Sequence, residues 1–227
     1  MSKGPGVEWR GVEWRGIVGA VLSFTAVVAL LGGVTNGFGV WTTEAARAEF
    51  VAAHPIAVPR VALVDAHRAP QFIAVTSRAT IVDFVYTRCV TLCGALGATY
   101  QQLQADIVRR GVADRVRLLT ISFDPAWDTP ERLQYYAIAM HPDPAVWTIA
   151  TFSDTNQLEG VLRTFGIRII ADGAGGFVHN AALHVVNPAG QLVAIVSIDA
   201  RDDAIDAALA AVSAAPLPVA SAAARDR

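Results

Sequence analysis

Cys89 and Cys93 are the only cysteines among the 227 residues of the chain. A bond between residues four apart closes a ring too small to restrain an unfolded chain much, so the pair points to chemistry more than to architecture. The alternative is two small buried hydrophobes that lie close in sequence. Before the pair, Ile81 to Tyr86 is a short apolar run rich in β-formers. After it, Leu96, Tyr100, Leu103 and Ile107 recur at threes and fours, which predicts a helix from Cys93 to Arg110 capped by Gly111. The cysteines thus fall where a strand gives way to a helix. The partial positive charge of a helix N-terminus and the neighbouring Arg88 both favour thiolate. Two thiolates within one turn can meet at one centre, and soft sulfur suits Cu(I) or zinc rather than magnesium or calcium. The same pair can instead cycle between dithiol and disulfide.

The elements that must carry the pair follow from the rest of the pattern. Val116 to Phe123 predicts a second buried strand, and Asp128-Thr129-Pro130-Glu131 opens a helix to about Met140, with Asp128 or Thr129 as cap and Pro130 in the first turn. Trp147 to Ala150 is a short strand, and Thr155 to Phe165 a helix ended by Gly166. Leu183 to Val186 and Leu192 to Ser197 are strands joined by the turn Asn187-Pro188-Ala189-Gly190, and Asp203 to Val212 is a closing helix. Alternating strands and helices followed by a hairpin imply an α/β fold, a mixed sheet flanked by helices on both faces. With cysteines at the end of its first core strand, this is a thioredoxin-like plan.

A soft-metal site needs further ligands. Of the five histidines, His54 lies in the approach to the domain, His67 before its core and His141 at a helix end. His179 follows the loop Asp172-Gly173-Ala174-Gly175-Gly176 and precedes the strand that ends in the Asn187–Gly190 turn. In a thioredoxin-like sheet the loop into that hairpin borders the cysteine loop, so His179 is the best-placed ligand. His184, inside the strand, is expected to pack against the sheet and is the reserve.

Hydrophobic residues make up 53% of the chain, and this excess sends attention to the N-terminus. Gly16 to Val34 is a charge-free run of 19 residues, enough as a helix to cross a hydrocarbon core of about 30 Å. Lys3, Arg10 and Arg15 precede it, which favours an inside N-terminus and an exported body. A tandem GVEWR repeat puts Trp9 and Trp14 at one membrane boundary, with Trp41 on the other side. Ala46-Arg47-Ala48 has the form of a signal-peptidase site but lies far beyond the apolar run, so an uncleaved anchor is preferred. The expected organisation is a cytoplasmic segment 1–15, a transmembrane anchor 16–34, a linker 35–69 broken by Pro55 and Pro59, the thioredoxin-like domain 70–213 that carries the cysteines and His179, and a disordered tail 214–227. The domain is expected on the periplasmic, extracytoplasmic side. Net charge is −2, and the basic residues are scattered, which argues against nucleic acid as a partner.

Two segments carry a specific resemblance. Phe84-Val85-Tyr86-Thr87-Arg88-Cys89-Val90-Thr91-Leu92-Cys93 resembles the F-x-Y-T-x-C-x-x-x-C segment of Sco/SenC proteins, and Ser122 to Glu131 (SFDPAWDTPE) resembles their S-x-D-P-x-x-D-T-P-E segment. His179 stands before Pro188-Ala189-Gly190 as the family's ligand histidine stands before its P-x-G turn. The resemblance covers about Ile81 to Ile198. It implies a copper chaperone that holds one copper ion, as Cu(I) or Cu(II), through Cys89, Cys93 and His179, and delivers it to the copper-bearing subunit of a respiratory haem-copper oxidase. A copper donor protein and a thiol reductant are further implied partners, and Asp124 is implied near the site. Val90 and Gly94 stand where the family often has proline, and His179 lies between Val178 and Asn180 rather than Asp and Ser or Thr. These departures bear on affinity and redox potential more than on fold. The alternative function is a thiol–disulfide oxidoreductase that reduces the oxidase's copper-binding cysteines. A peroxiredoxin-type peroxidase lacks support, because the surroundings of Cys89 do not have the Pro-x-x-x-Thr-x-x-Cys pattern.

Overall fold

The computed structural model describes residues 14–34, 42–88, 92–173 and 175–214, with the backbone alone at 15, 34 and 92–95. The chain divides into two units, Met1–Arg47 and Ala48–Arg227. In the first, helix α1 (Trp14–Val34) is exposed along its length. Its Gly16–Gly33 stretch has a mean hydropathy of 2.1, so it is long and apolar enough to cross a membrane. A signal sequence has the same property. Trp14 is exposed at its start, while the first copy of the GVEWR repeat and Trp41 lie outside the described residues.

The second unit begins earlier than the expected domain boundary. Helix α2 (Thr43–Ala53) ends before Pro55 and buries Val51 in the core. Strands β1 (Ile56–Ala57), β2 (Leu63–Asp65) and β3 (Pro70–Gln71) follow. The segment 35–69, expected to be a linker, therefore supplies β1 at one edge of the sheet and β2, the strand next to the other edge. The prolines stop α2 and leave the chain extended, the conformation that edge pairing requires.

Next come β4 (Ala79–Val85), α3 (Leu92–Arg109), β5 (Val116–Ser122), α4 (Pro130–Met140) and β6 (Trp147–Phe152). A short 3₁₀ turn (Thr155–Gln157) leads into α5 (Leu158–Phe165). Strands β7 (Ile169–Ala171), β8 (Phe177–His179), β9 (Leu183–Val186) and β10 (Gln191–Val196) and helix α6 (Arg201–Ala214) complete the described chain. The tail beyond Ala214 lies outside the described residues.

Among the described residues the main sheet has eight strands in the order β1-β10-β9-β4-β5-β6-β2-β3. Its centre, β4–β5–β6, is parallel, and the other pairs are antiparallel. Every residue of β4 and β5 is buried, as expected of strands covered on both faces. The period of two divides their side chains between two cores. Ile81, Leu118, Ile149 and Val185 pack with Tyr100, Leu103 and Ile107 of α3, Leu133 of α4 and Ile205 of α6. Val82, Leu119, Ala150 and Val186 pack with Val51 of α2 and Val161 and Phe165 of α5. This is the mixed sheet flanked by helices that the sequence predicts.

One β4 residue breaks the apolar rule. Asp83 is buried beneath α3, opposite Thr120 of β5, and its Oδ1 is sealed from water without a hydrogen-bond partner among the described residues. Desolvation pushes its pKa up to about 7, against hydrogen bonds from Thr120 and Tyr100. Trp147 Nε1 donates to Thr120 Oγ1 at 2.9 Å, which leaves the threonine proton for Asp83. In the unfolded chain the same carboxyl titrates near 4. Between these values the native state holds a proton that the unfolded state has released. The contribution of Asp83 is therefore complete below about pH 4 and declines as pH rises to about 7, by roughly 1.4 kcal/mol per pH unit. Asp83→Asn removes this slope. Urea unfolding of both proteins from pH 4.5 to 7.5 should show the variant gaining on the wild type as pH rises; a constant difference would show that Asp83 ionises in the ordinary range.

Candidate metal centre

Strand β4 ends at Val85, and its continuation Tyr86-Thr87-Arg88 leads to Cys89, which lies outside the described residues. Cys93 is the second residue of α3, where the helix dipole favours a thiolate. The strand-to-helix junction read from the sequence is thus present around the pair.

The approach to the pair is fixed by one carboxylate. Asp128 is wholly buried and accepts hydrogen bonds from the Thr87 backbone N–H (2.9 Å), from the Thr87 hydroxyl and from Ser122 Oγ (2.5 Å). It therefore does not cap α4. The N-cap is Thr129, which makes no side-chain cap hydrogen bond, with Pro130 in the first turn. Ser122 Oγ also accepts from the Asp124 N–H at 3.1 Å. The Asp124 backbone carbonyl accepts from Trp127 and Asp128, forming a turn, while its carboxylate pairs with Arg88 at 2.6 Å. Arg88 is thus not the free cation that sequence alone implies beside the thiols, because its charge is largely matched by Asp124. Its guanidinium also lies 4.7 Å from the Trp127 ring centroid, and Arg132 covers the same ring at 3.5 Å.

The histidine comes from a different piece of structure. Strands β7 and β8 form a two-stranded sheet of their own, with Ile169 opposite His179. His179 is buried in an aromatic setting, its ring 4.9 Å from Phe123 and 6.3 Å from Tyr86, both edge-on. Nδ1 lies 2.9 Å from the Asn180 carbonyl oxygen. A carbonyl only accepts, so Nδ1 carries the proton and Nε2 carries the lone pair. Nε2 is buried and has no hydrogen-bond partner among the described residues. Burial lowers the His179 pKa, partly offset by the bond to Asn180, so the ring is neutral at neutral pH. A neutral imidazole with one sealed lone pair and the other nitrogen tied to a backbone oxygen is prepared as a ligand.

The other histidines are engaged elsewhere. His184 is buried on β9, with Nδ1 3.3 Å from the Val82 carbonyl and its ring edge-on to Phe84 and Phe165. His54 stacks on Phe50, exposed His67 follows Asp65 in a turn, and His141 takes a left-handed conformation at the end of α4. Among the described residues no three His, Cys, Asp or Glu side chains converge on a common point; Cys89 and the Cys93 side chain are not among them. The β7–β8 pair leaves no pattern in the sequence, because its strands are three residues long and flank a glycine-rich loop.

A family model described as SCO1/SenC matches residues 70–214. The chain is 26% identical over 115 residues to the SCO1 protein homolog of Bacillus subtilis (strain 168), across 50% of this chain and 58% of that protein, so the match spans less than two thirds of the relative. Among solved structures, BsSco, described as a member of the Sco family of cytochrome c oxidase assembly proteins with a disulfide switch, superposes with a TM-score of 0.63 at 19% identity, covering 71% of this chain and 96% of that one. Arabidopsis thaliana ScoI with copper bound gives a TM-score of 0.57 at 16% identity, covering 69% and 98%. The fold is that of the thioredoxin-like Sco proteins, and with the family model matching more than half of its length the chain belongs to the SCO1/SenC family.

Proposed function

We propose that the protein is a membrane-anchored copper chaperone that binds one copper ion through Cys89, Cys93 and His179 and passes it to the copper centre of a respiratory haem-copper oxidase. The observation that carries this reading is the state of His179. Its Nε2 lone pair is buried and unpartnered among the described residues, and its Nδ1 is committed to Asn180. An unused buried acceptor is costly unless something fills it, and a metal ion does so. The copper in A. thaliana ScoI and the oxidase-assembly role of the family of BsSco support the choice of metal and client. Two thiolates and one imidazole suit Cu(I) and leave a side open for transfer. Residues 16–34 serve as the anchor, residues 1–15 face the cytoplasm, and the domain that follows works on the extracytoplasmic side.

The disulfide switch of BsSco favours a second reading, in which Cys89 and Cys93 form a reversible disulfide and reduce the cysteines of the oxidase. The two readings use the same sulfurs and differ in their need for His179.

Three variants separate them. In the full chain, Cys89→Ser or Cys93→Ser should nearly abolish Cu(I) binding, since one thiolate remains. His179→Ala should weaken Cu(II) by about a hundredfold and Cu(I) by only about tenfold, because two thiolates still hold Cu(I) linearly while Cu(II) favours imidazole and more ligands. Disulfide exchange should survive His179→Ala and stop without either cysteine. Competition titrations in both copper oxidation states check this, and equal binding by wild type and His179→Ala would remove the histidine from the centre.

Location is tested separately. Fractionation and protease protection of intact cells should find the full-length chain in membranes with its C-terminal domain outside the cytoplasm. A full-length cytosolic chain would rule out the anchor, and a mature chain starting near Glu49 would make α1 a cleaved signal.

A further inference from the structure

We propose that the Tyr86 hydroxyl is the positioning group that holds the His179 imidazole at the metal centre, by latching the β7–β8 hairpin to the root of the cysteine loop. The inference rests on the reading of His179 as a ligand.

Tyr86 is buried, directly after β4 and three residues before Cys89. Its hydroxyl donates to the Phe177 carbonyl at 2.9 Å and accepts from the Phe177 N–H at 3.0 Å. One side-chain oxygen thus serves both backbone groups of one residue. The register explains why those groups are available. Asp172 N donates to Gly176 O, and Ile170 pairs with Val178, so residues 176 and 178 spend their backbone groups on β7. In an antiparallel pair the alternate residues turn theirs outward, and Phe177 is one of these. Phe177 and His179 are two apart on β8, so their side chains share a face. Both rings meet Phe123 and Tyr86 edge-on or nearly so.

The surrounding residues keep the latch close. A Cβ at Gly176 would lie 3.2 Å from the Tyr86 hydroxyl and 2.5 Å from Asp172 Oδ2, so a side chain there would displace one or both. On the other flank of His179, Asn180 accepts from Arg168 N at 2.7 Å and donates to the Gly166 carbonyl at 3.0 Å, which ties it to the end of α5. His179 therefore sits in a span of four residues fixed at both ends, by Tyr86 at Phe177 and by Asn180. The Asn180 tie reaches α5. The Tyr86 tie reaches the end of β4, the strand that leads to Cys89, so it holds the imidazole against that strand.

Tyr86→Phe keeps the ring and removes the hydroxyl that makes the latch. In the full chain in detergent, Cu(II) affinity should fall about five- to tenfold, as expected for lost hydrogen bonds, and Cu(I) affinity less than about threefold. The nitrogen hyperfine pattern in the Cu(II) electron paramagnetic resonance spectrum should broaden or split into two populations. A double-mutant cycle separates positioning from general destabilisation. If Tyr86 acts through His179, Tyr86→Phe has no effect on Cu(II) affinity in a His179→Ala background. A loss that persists there, or a Tyr86→Phe protein with wild-type Cu(II) affinity and spectrum, overturns the proposal. If wild type and His179→Ala bind Cu(II) alike, the ligand reading itself fails and takes this inference with it.

Discussion

The approach to the candidate site depends on a single buried carboxylate. Asp128 has no contact with water and takes its three hydrogen bonds from Thr87 and Ser122, which lie beyond or at the ends of two neighbouring parallel strands. A buried charge is tolerable only when its lone pairs are met by donors of fixed geometry. The need to satisfy Asp128 therefore dictates where the chain goes on leaving β4. It also draws the Asp124 turn into place through Ser122, and with it the partner of Arg88. The chain thus leaves β4 toward Cys89 from a rigid root at Thr87.

Asp124, Asp128 and Arg88 show how neighbouring polar residues divide their labour. Asp128 is wholly internal and architectural. Asp124 and Arg88 form a partly exposed ion pair, with the Asp124 carboxylate the more buried partner. Its effect is electrostatic. It matches the Arg88 charge at the end of the segment that leads to Cys89.

Much of this was legible in the sequence. The central strands announced themselves as continuous apolar runs, and α3 as a 3.6-residue stripe, because burial on two faces and on one stripe leaves those signatures. The resemblance at Cys89, Cys93 and the Ser122–Glu131 segment carried the family. The margins of the sheet were not legible. Strands β1, β3 and β7 have two or three residues, too few for any period to show, and Pro55 and Pro59 drew attention to a break rather than to the extended pairing that follows it. The role of Asp128 was hidden for a different reason. An Asp before Thr-Pro-Glu has the form of a helix cap, and only the fold brings Thr87 within reach. The tautomer of His179 likewise depends on a backbone carbonyl whose direction no pattern encodes.

The two-stranded sheet of β7 and β8 has an evolutionary consequence. It is hydrogen-bonded apart from the eight-stranded sheet, and its loop carries Gly173 and Gly175 at positive φ. A segment of this kind can change length or composition between Asp172 and Gly176 without disturbing the register of any main-sheet strand. Strand β4, by contrast, tolerates no such change, because a single inserted residue would turn every following side chain to the wrong face. The loop is therefore the part of this region that can vary between lineages, while the Tyr86 and Asn180 ties keep His179 where it is.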